Sequence, residues 1–242
     1  MARRKIVFVI VEGPSDDEAL GVLLERMYDK NTVHIHITHG DVTTEKGASF
    51  STILAMLGGI IETYRNANHL TKTHFKEIVH IVDMDGAYIP DDAVIGDVTA
   101  KKPSYSLTEI RTADVRGIIN RNMMKRGCVD KISSTPTLCG IPYQAYYMSC
   151  NLDHVLYEKL NSTDEKKERD SLSFAKKYGS NILDFVNFIS ESSFSVGGTY
   201  LESWSFIKEK KHSLERHTNF GICIARALKG QNASRNTGET EQ

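Results

Sequence analysis

The sequence predicts an α/β protein: a mainly parallel sheet flanked by helices, with a mostly helical C-terminal region. Three observations predict it. Two apolar runs, Ile6-Val7-Phe8-Val9-Ile10-Val11 and Ile78-Val79-His80-Ile81-Val82, read as strands buried on both faces, as parallel strands are. Segments of helical period alternate with strand-like ones as far as about residue 90. After Asn151 the period changes and helical spacing takes over.

Residues 5–11 form the first strand. Ser15-Asp16-Asp17-Glu18 then reads as a capping box, with Ser15 as N-cap and Glu18 at the third helical position. Ala19, Leu20, Leu23, Leu24 and Met27 continue at helical spacing, so a helix runs to about Tyr28. Val33-His34-Ile35-His36-Ile37 alternates, reads as a second strand, and leads to Gly40-Asp41. Ile53, Leu54, Leu57, Ile60, Ile61 and Tyr64 mark a second helix, and 77–82 a third strand. This β-α-β-α-β order predicts parallel pairing with right-handed crossovers. Residues 101–131 combine a loop with one helix around 112–125, and Tyr143–Met148 is a fourth strand.

Beyond it, Leu152, Val155, Leu156 and Leu160 fit one helix, and Ile182, Phe185, Val186 and Ile189 another. Further helical patterns cover 164–178, 199–210 and 214–228. The expected division is an α/β domain over 1–150, a helical subdomain or cover over 151–228, and a disordered tail over 229–242. The tail has no Leu, Ile, Val or aromatic residue with which to bury itself.

Of the 242 residues, 40% are hydrophobic, enough for a sizeable core, and 25% are charged, as in ordinary globular proteins. The net charge of −1 gives no global field that attracts nucleic acid, so any such role needs a local patch. Cys128, Cys139, Cys150 and Cys223 form no C-x-x-C pair, which argues against structural zinc and for reduced thiols. The first apolar run stops at Glu12, too short for a signal core or a membrane helix. A cytoplasmic protein without a membrane partner is expected.

Both signature strands end in carboxylate and glycine: Glu12-Gly13 after the first, Asp83-Met84-Asp85-Gly86 after the third. Ligands of open α/β sheets bind at the carboxyl ends of strands. Three acids gathered there repel one another unless a cation sits between them, and hard oxygen donors suit Mg²⁺ or Mn²⁺. Asp16 reads as a first-turn helix-dipole residue or as a further ligand. Asp41 reads as an Asx-turn residue or as a ligand.

Residues 101–131 hold eight basic side chains against three acids. Lys101, Lys102, Arg116, Arg121, Lys125 and Arg126 are candidates for the phosphate backbone of a nucleic acid, the alternative being a solvated helix face. Arg216-His217 reads as helix-surface charge. His34, His36 and His39 share only the outline of a metal strip, since nothing supplies the remaining ligands. Tyr143, Tyr146 and Tyr147 read as sheet packing.

Val11-Glu12-Gly13-Pro14-Ser15-Asp16 and Val82-Asp83-Met84-Asp85-Gly86, about 70 residues apart, resemble the Toprim domain, named for topoisomerases and primases. The likeness covers roughly residues 5–90. It implies that Asp83 and Asp85 bind a divalent metal and that Glu12 acts as general acid/base or ligand. Small Toprim nucleases of the overcoming-lysogenisation-defect and ribosomal-RNA-maturation types are the nearest in kind. In the former a second acid follows the glutamate, a position Asp16 could fill in a two-metal site. Such nucleases often work beside an ATPase in antiviral defence. No G-x-x-x-x-G-K-[ST] is present, so an ATPase would be a separate protein.

The expected function is therefore Mg²⁺- or Mn²⁺-dependent hydrolysis of DNA or RNA phosphodiesters. Two alternatives stand beside it. Asp83-Met84-Asp85-Gly86 also resembles the first motif of haloacid-dehalogenase phosphatases, although a full β-α-β-α precedes it and Ala87 replaces the usual Thr. A non-catalytic Toprim-like subunit is the other. The hydrolytic reading requires Glu12 to meet Asp83 and Asp85, with none of the three turned onto a lysine or arginine.

Overall fold

The computed structural model describes residues 5–28, 32–38 and 40–238. In chain order, β1 (Ile6–Val11), α1 (Pro14–Met27), β2 (Val33–Ile37), α2 (Ile53–Ala67) and β3 (Phe75–Asp83) build the first half of the sheet. Three short strands follow, β4 (Val94–Gly96), β5 (Ser104–Tyr105) and β6 (Ile110–Thr112). Next come α3 (Val115–Ser133), β7 (Thr137–Leu138) and β8 (Ile141–Ser149). The remainder is α4 (Leu152–Tyr157), α5 (Asp164–Gly179), α6 (Ile182–Glu191), α7 (Tyr200–Ile207), β9 (His217–Thr218) and α8 (Phe220–Gly238).

The main sheet has the order β2-β1-β3-β8-β7, parallel from β2 to β8, with β7 and β9 added antiparallel to β8. The protein is thus α/β with a mainly parallel, mixed sheet and a helical C-terminal region. Side-chain alternation explains the unbroken apolar runs. Val7, Val9 and Val11 face α1, α6 and α8, where Leu20, Phe185 and Phe220 meet them. Phe8 and Ile10 face α2, α3 and α7, where Leu57, Val129 and Trp204 close the opposite core. The C-terminal helices α5, α6 and α8 share one core with β1 and α1. Strands β4, β6 and β5 form a separate small sheet between β3 and α3, which places it beside the carboxyl edge of β3.

Several boundaries differ from the sequence reading. Gly13, not Ser15, caps α1, and the Gly13 N–H donates to Asp16 Oδ2 at 3.0 Å. Pro14 fits the first helical position because it has no N–H to satisfy, which moves the start two residues earlier. Glu18 instead accepts from the Ser171 hydroxyl of α5 at 2.7 Å. Helix α3 runs 115–133 rather than 112–125, because Asp114 caps it by accepting from Gly117 N–H at 2.8 Å. The pattern at 214–228 divides into β9 and α8, and α8 continues through Gly238 into the segment expected to be a disordered tail. Propagating a helix already anchored by buried Phe220, Ile224 and Ala227 costs far less than nucleating one. Residues 239–242 and His39 lie outside the described residues. His34 stacks on Tyr64 with ring centroids 4.0 Å apart, a packing role.

Candidate functional site

Strand β1 lies between β2 and β3, so its end and the end of β3 are neighbours. The register pairs Ile10 with His80, and continuing it brings Glu12 alongside the last residues of β3. The Asp83 N–H donates to Glu12 Oε1 at 3.1 Å. Asp83 Oδ1 in turn accepts from Leu152 N–H, at the start of α4, at 2.9 Å. Both side chains reach a pocket of about 310 Å³ that Asp85 also lines. Glu12 and Asp83 are therefore brought together as the sequence predicts.

Asp85 is not joined to them in the same way. After β3 the backbone turns through left-handed values, φ 47° at Asp85 and 68° at Gly86. Aspartate tolerates that region better than most residues, and glycine is required next. A Cβ on Gly86 would sit 2.7 Å from Leu214 Cδ2. The turn sends Asp85 Oδ2 to Lys125 Nζ at 2.5 Å. The same ammonium bonds Asp41 Oδ2 at 2.7 Å. One condition set by the sequence thus fails at Asp85: it is paired with a lysine.

Lys125 is itself a correction. It was expected on a nucleic-acid surface, but its side chain is 0% exposed. It lies on the face of α3 turned to the sheet, and the two carboxylates compensate its burial. Asp41 is held further by the Thr43 N–H at 2.8 Å and the Thr44 hydroxyl at 3.0 Å. It makes the Asx-type turn and the ion pair, and does not line the pocket.

The two groups of acids differ in charge balance. Burial, the largest single cause, would raise the Asp41 pKa, but Lys125 and the hydrogen bonds from Thr43 together outweigh it and the net shift is downward. Burial would lower the Lys125 pKa, and Asp85, Asp41 and Glu12 raise it instead. Glu12 goes the other way. Burial first, then the charge of Asp41, push its pKa well above the usual carboxylate range, and Lys125 only partly offsets them. Asp83 is likewise raised by burial and by Glu12 and Asp16. Burial pushes Asp16 up to about 6, against the lowering effect of its bond from Gly13. Among the described residues no ion pair reaches Glu12, Asp83 or Asp16. Asp153, buried on α4, joins the pocket; its Oδ2 makes no hydrogen bond, and Lys167 Nζ is 3.5 Å away.

This donor set fits a divalent cation in kind and in charge. Hard carboxylate oxygens are crowded, desolvated and short of positive charge. Among the described residues no three His, Cys, Asp or Glu side chains converge as a ready cage.

The other basic candidates separate by exposure. Lys101, Lys102 and Arg116 are exposed, and Lys102 lines the acidic pocket. Arg121 turns inward, donating to the Asp85 carbonyl at 2.7 Å and to the Tyr105 hydroxyl at 2.6 Å. Arg126 is half-buried and 3.8 Å from Asp91. The buried tyrosines Tyr143 and Tyr147 donate to or meet interior partners, His80 Nδ1 at 2.7 Å and the Ser203 carbonyl at 3.1 Å, as packing residues do.

Sequence reasoning missed Asp153, Lys167, Tyr105 and Asn161, all of which line the pocket. A signal for Asp153 existed: Asn151-Leu152-Asp153 follows the fourth strand as Asp83-Met84-Asp85 follows the third. A larger pocket, about 430 Å³, lies beside Ser195, Gly198 and Ile222 and presents no carboxylate. Among the described residues no helix is long and apolar enough to cross a membrane. Compared with known protein families, curated proteins and solved structures, the chain matches none.

Proposed function

We propose that this chain is a divalent-metal-dependent hydrolase of polynucleotide phosphodiesters, a Toprim-like nuclease whose centre is Glu12 and Asp83. One observation carries the reading: two desolvated carboxylates, from the ends of adjacent parallel strands, meet on a pocket wall without a cationic partner. Structural acids are normally neutralised, as Asp41 and Asp85 are here. Acids left unneutralised in a cleft mark sites of chemistry.

Glu12 and Asp83 would hold Mg²⁺ or Mn²⁺, with Asp16 and Asp153 near enough to add charge. The bound ion would supply an activated water near neutral pH and neutralise charge developing on the phosphoryl group. Glu12 would take the proton from the attacking water. Lys102, exposed at the rim, holds the substrate phosphate. Lys125 pairs with both Asp85 and Asp41 and holds them in place. With Asp85 engaged there, the three-acid centre that the sequence required is not formed and the Asp-x-Asp pair does not act as a joint ligand; what is proposed is the narrower two-acid centre of Glu12 and Asp83.

Purified protein incubated with plasmid DNA, transfer RNA and p-nitrophenyl phosphate, with Mg²⁺, Mn²⁺ or EDTA, tests this. Metal-dependent cutting of a nucleic acid is expected, lost in Asp83→Ala and in Glu12→Gln, which keeps the side-chain volume but cannot take a proton. Turnover of p-nitrophenyl phosphate alone would replace the reading with a phosphatase. Metal binding without turnover would make the chain a binding subunit.

A further inference from the structure

The acids lie at the floor of a recess whose two walls are tied together. One wall is the segment carrying Lys102 and Tyr105, at the start of the small sheet; the other is the loop between α4 and α5, carrying Asn161. Asn161 Oδ1 accepts from the Tyr105 N–H at 2.9 Å, and Asn161 Nδ2 donates to the Tyr105 carbonyl at 2.8 Å. Strand β5 is the edge of its sheet, paired on one side with β6. The Asn161 carboxamide satisfies Tyr105 on the open side, as a neighbouring strand would. Tyr105 is held from below as well, since its hydroxyl accepts from Arg121 Nη1 at 2.6 Å.

We infer that this clasp makes the site selective for unpaired nucleotides, a single strand or a frayed end, over continuous duplex; the inference rests on the hydrolytic reading above. A duplex presents its phosphates on a rigid convex rod, while an unpaired nucleotide can leave the stack and enter a recess. The pocket, about 310 Å³, is at the small end of the range for ligand sites, roughly 300–1,000 Å³. That suits one nucleotide-sized unit and not the width of a duplex. Lys102 meets the phosphate, and Tyr105, half-buried with the Arg121 guanidinium 5.8 Å from its ring centroid, is a fixed boundary of the recess that takes the base. Two short hydrogen bonds between exposed groups keep the walls at that separation.

The full chain is assayed with Mn²⁺ on four substrates: a covalently closed relaxed plasmid, a single-stranded DNA circle, and linear single-stranded DNA and RNA oligonucleotides. Single strands should be cut about tenfold or more faster than closed duplex. Asn161→Ala, which removes both bonds, should narrow that ratio by raising duplex cutting. Asn161→Asp, which keeps the acceptor for the Tyr105 N–H and loses the donor, should fall between. Circular dichroism confirms that each variant is folded. Duplex cut as fast as single strands overturns the selectivity and leaves the hydrolytic reading standing. A ratio unchanged in both folded variants overturns the role of the clasp. Cutting of none of the four substrates overturns both.

Discussion

Two sets of acids stand side by side at the carboxyl edge of this sheet, and they have opposite characters. Asp41 and Asp85 share one buried ammonium, at 2.7 and 2.5 Å from Lys125 Nζ. Glu12 and Asp83 share only a backbone hydrogen bond, from Asp83 N–H to Glu12 Oε1. The same residue types become a structural salt bridge in one case and a pair of carboxyl groups without an ion-pair partner among the described residues in the other. What separates Asp85 from Asp83 is the turn at Asp85-Gly86, which brings Asp85 Oδ2 onto Lys125 Nζ while Asp83 Oδ1, among the described residues, accepts only from the Leu152 N–H, although both acids line the pocket. An acidic motif is therefore two different things until its backbone is known.

The hardest blow to this arrangement is removal of the shared cation. Lys125→Met keeps much of the volume and leaves Asp41 and Asp85 without compensation. Breaking a buried pair in this way costs about 3–5 kcal/mol, because an unpaired charge stays behind. Urea denaturation should show that loss, and the double variant Lys125→Met with Asp85→Asn should recover part of it. A single variant as stable as the parent would mean that the ammonium does not hold the acids together.

Much of the architecture was legible because strand and helix periods are local. Val7 through Val11 had to be apolar on both faces, and Leu20, Leu23 and Leu24 had to share one. The meeting of Glu12 with Asp83 was legible too, because parallel strands joined by a crossover helix put their carboxyl ends on one edge. The Lys125 pairing was not. It depends on which face of α3 meets the sheet, and a lysine among Arg121, Arg126 and Lys131 looks like a solvated stripe. Asn161 was equally hidden, since its partner is a backbone 56 residues away. Long-range pairing of that kind leaves no period in the sequence.

Proton linkage gives Asp41 the opposite sign to Glu12 and Asp83. Glu12 and Asp83 are raised above the usual carboxylate range, and Asp16 to about 6. The native chain thus keeps protons that the unfolded chain releases above about pH 4. Stability from these groups is present in full below about pH 4 and falls as pH rises through their folded values. Asp41 is lowered, so its contribution is present above about pH 4 and lost as pH falls through its folded value. In EDTA, thermal unfolding should show stability declining by about 1–2 kcal/mol between pH 5 and 7, discounted for water in the pocket. Glu12→Gln should flatten the decline, and Mg²⁺ should reverse it at pH 7 by supplying the missing charge. Stability that is level from pH 5 to 7 in EDTA would mean that the pair is not strained by its own charge.

The gentlest test concerns cations outside both sets. Lys101 and Lys102 are exposed on the loop that leads to β5, and Lys102 reaches the pocket, so they are free to meet phosphate where Lys125 is not. Each phosphate contact on a single strand contributes about −0.7 to the slope of log affinity against log salt. Reversing Lys101 and Lys102 to Glu should therefore flatten that slope by about 1–2, read by fluorescence anisotropy of a labelled single strand in Ca²⁺ or EDTA, and should leave folding stability within about 0.5 kcal/mol. Reversal of Arg116, exposed on the first turn of α3 and away from the pocket lining, is the internal control. A slope that changes only with Arg116 would move the binding surface to α3, and the acidic pocket would then lack the phosphate contact its chemistry needs.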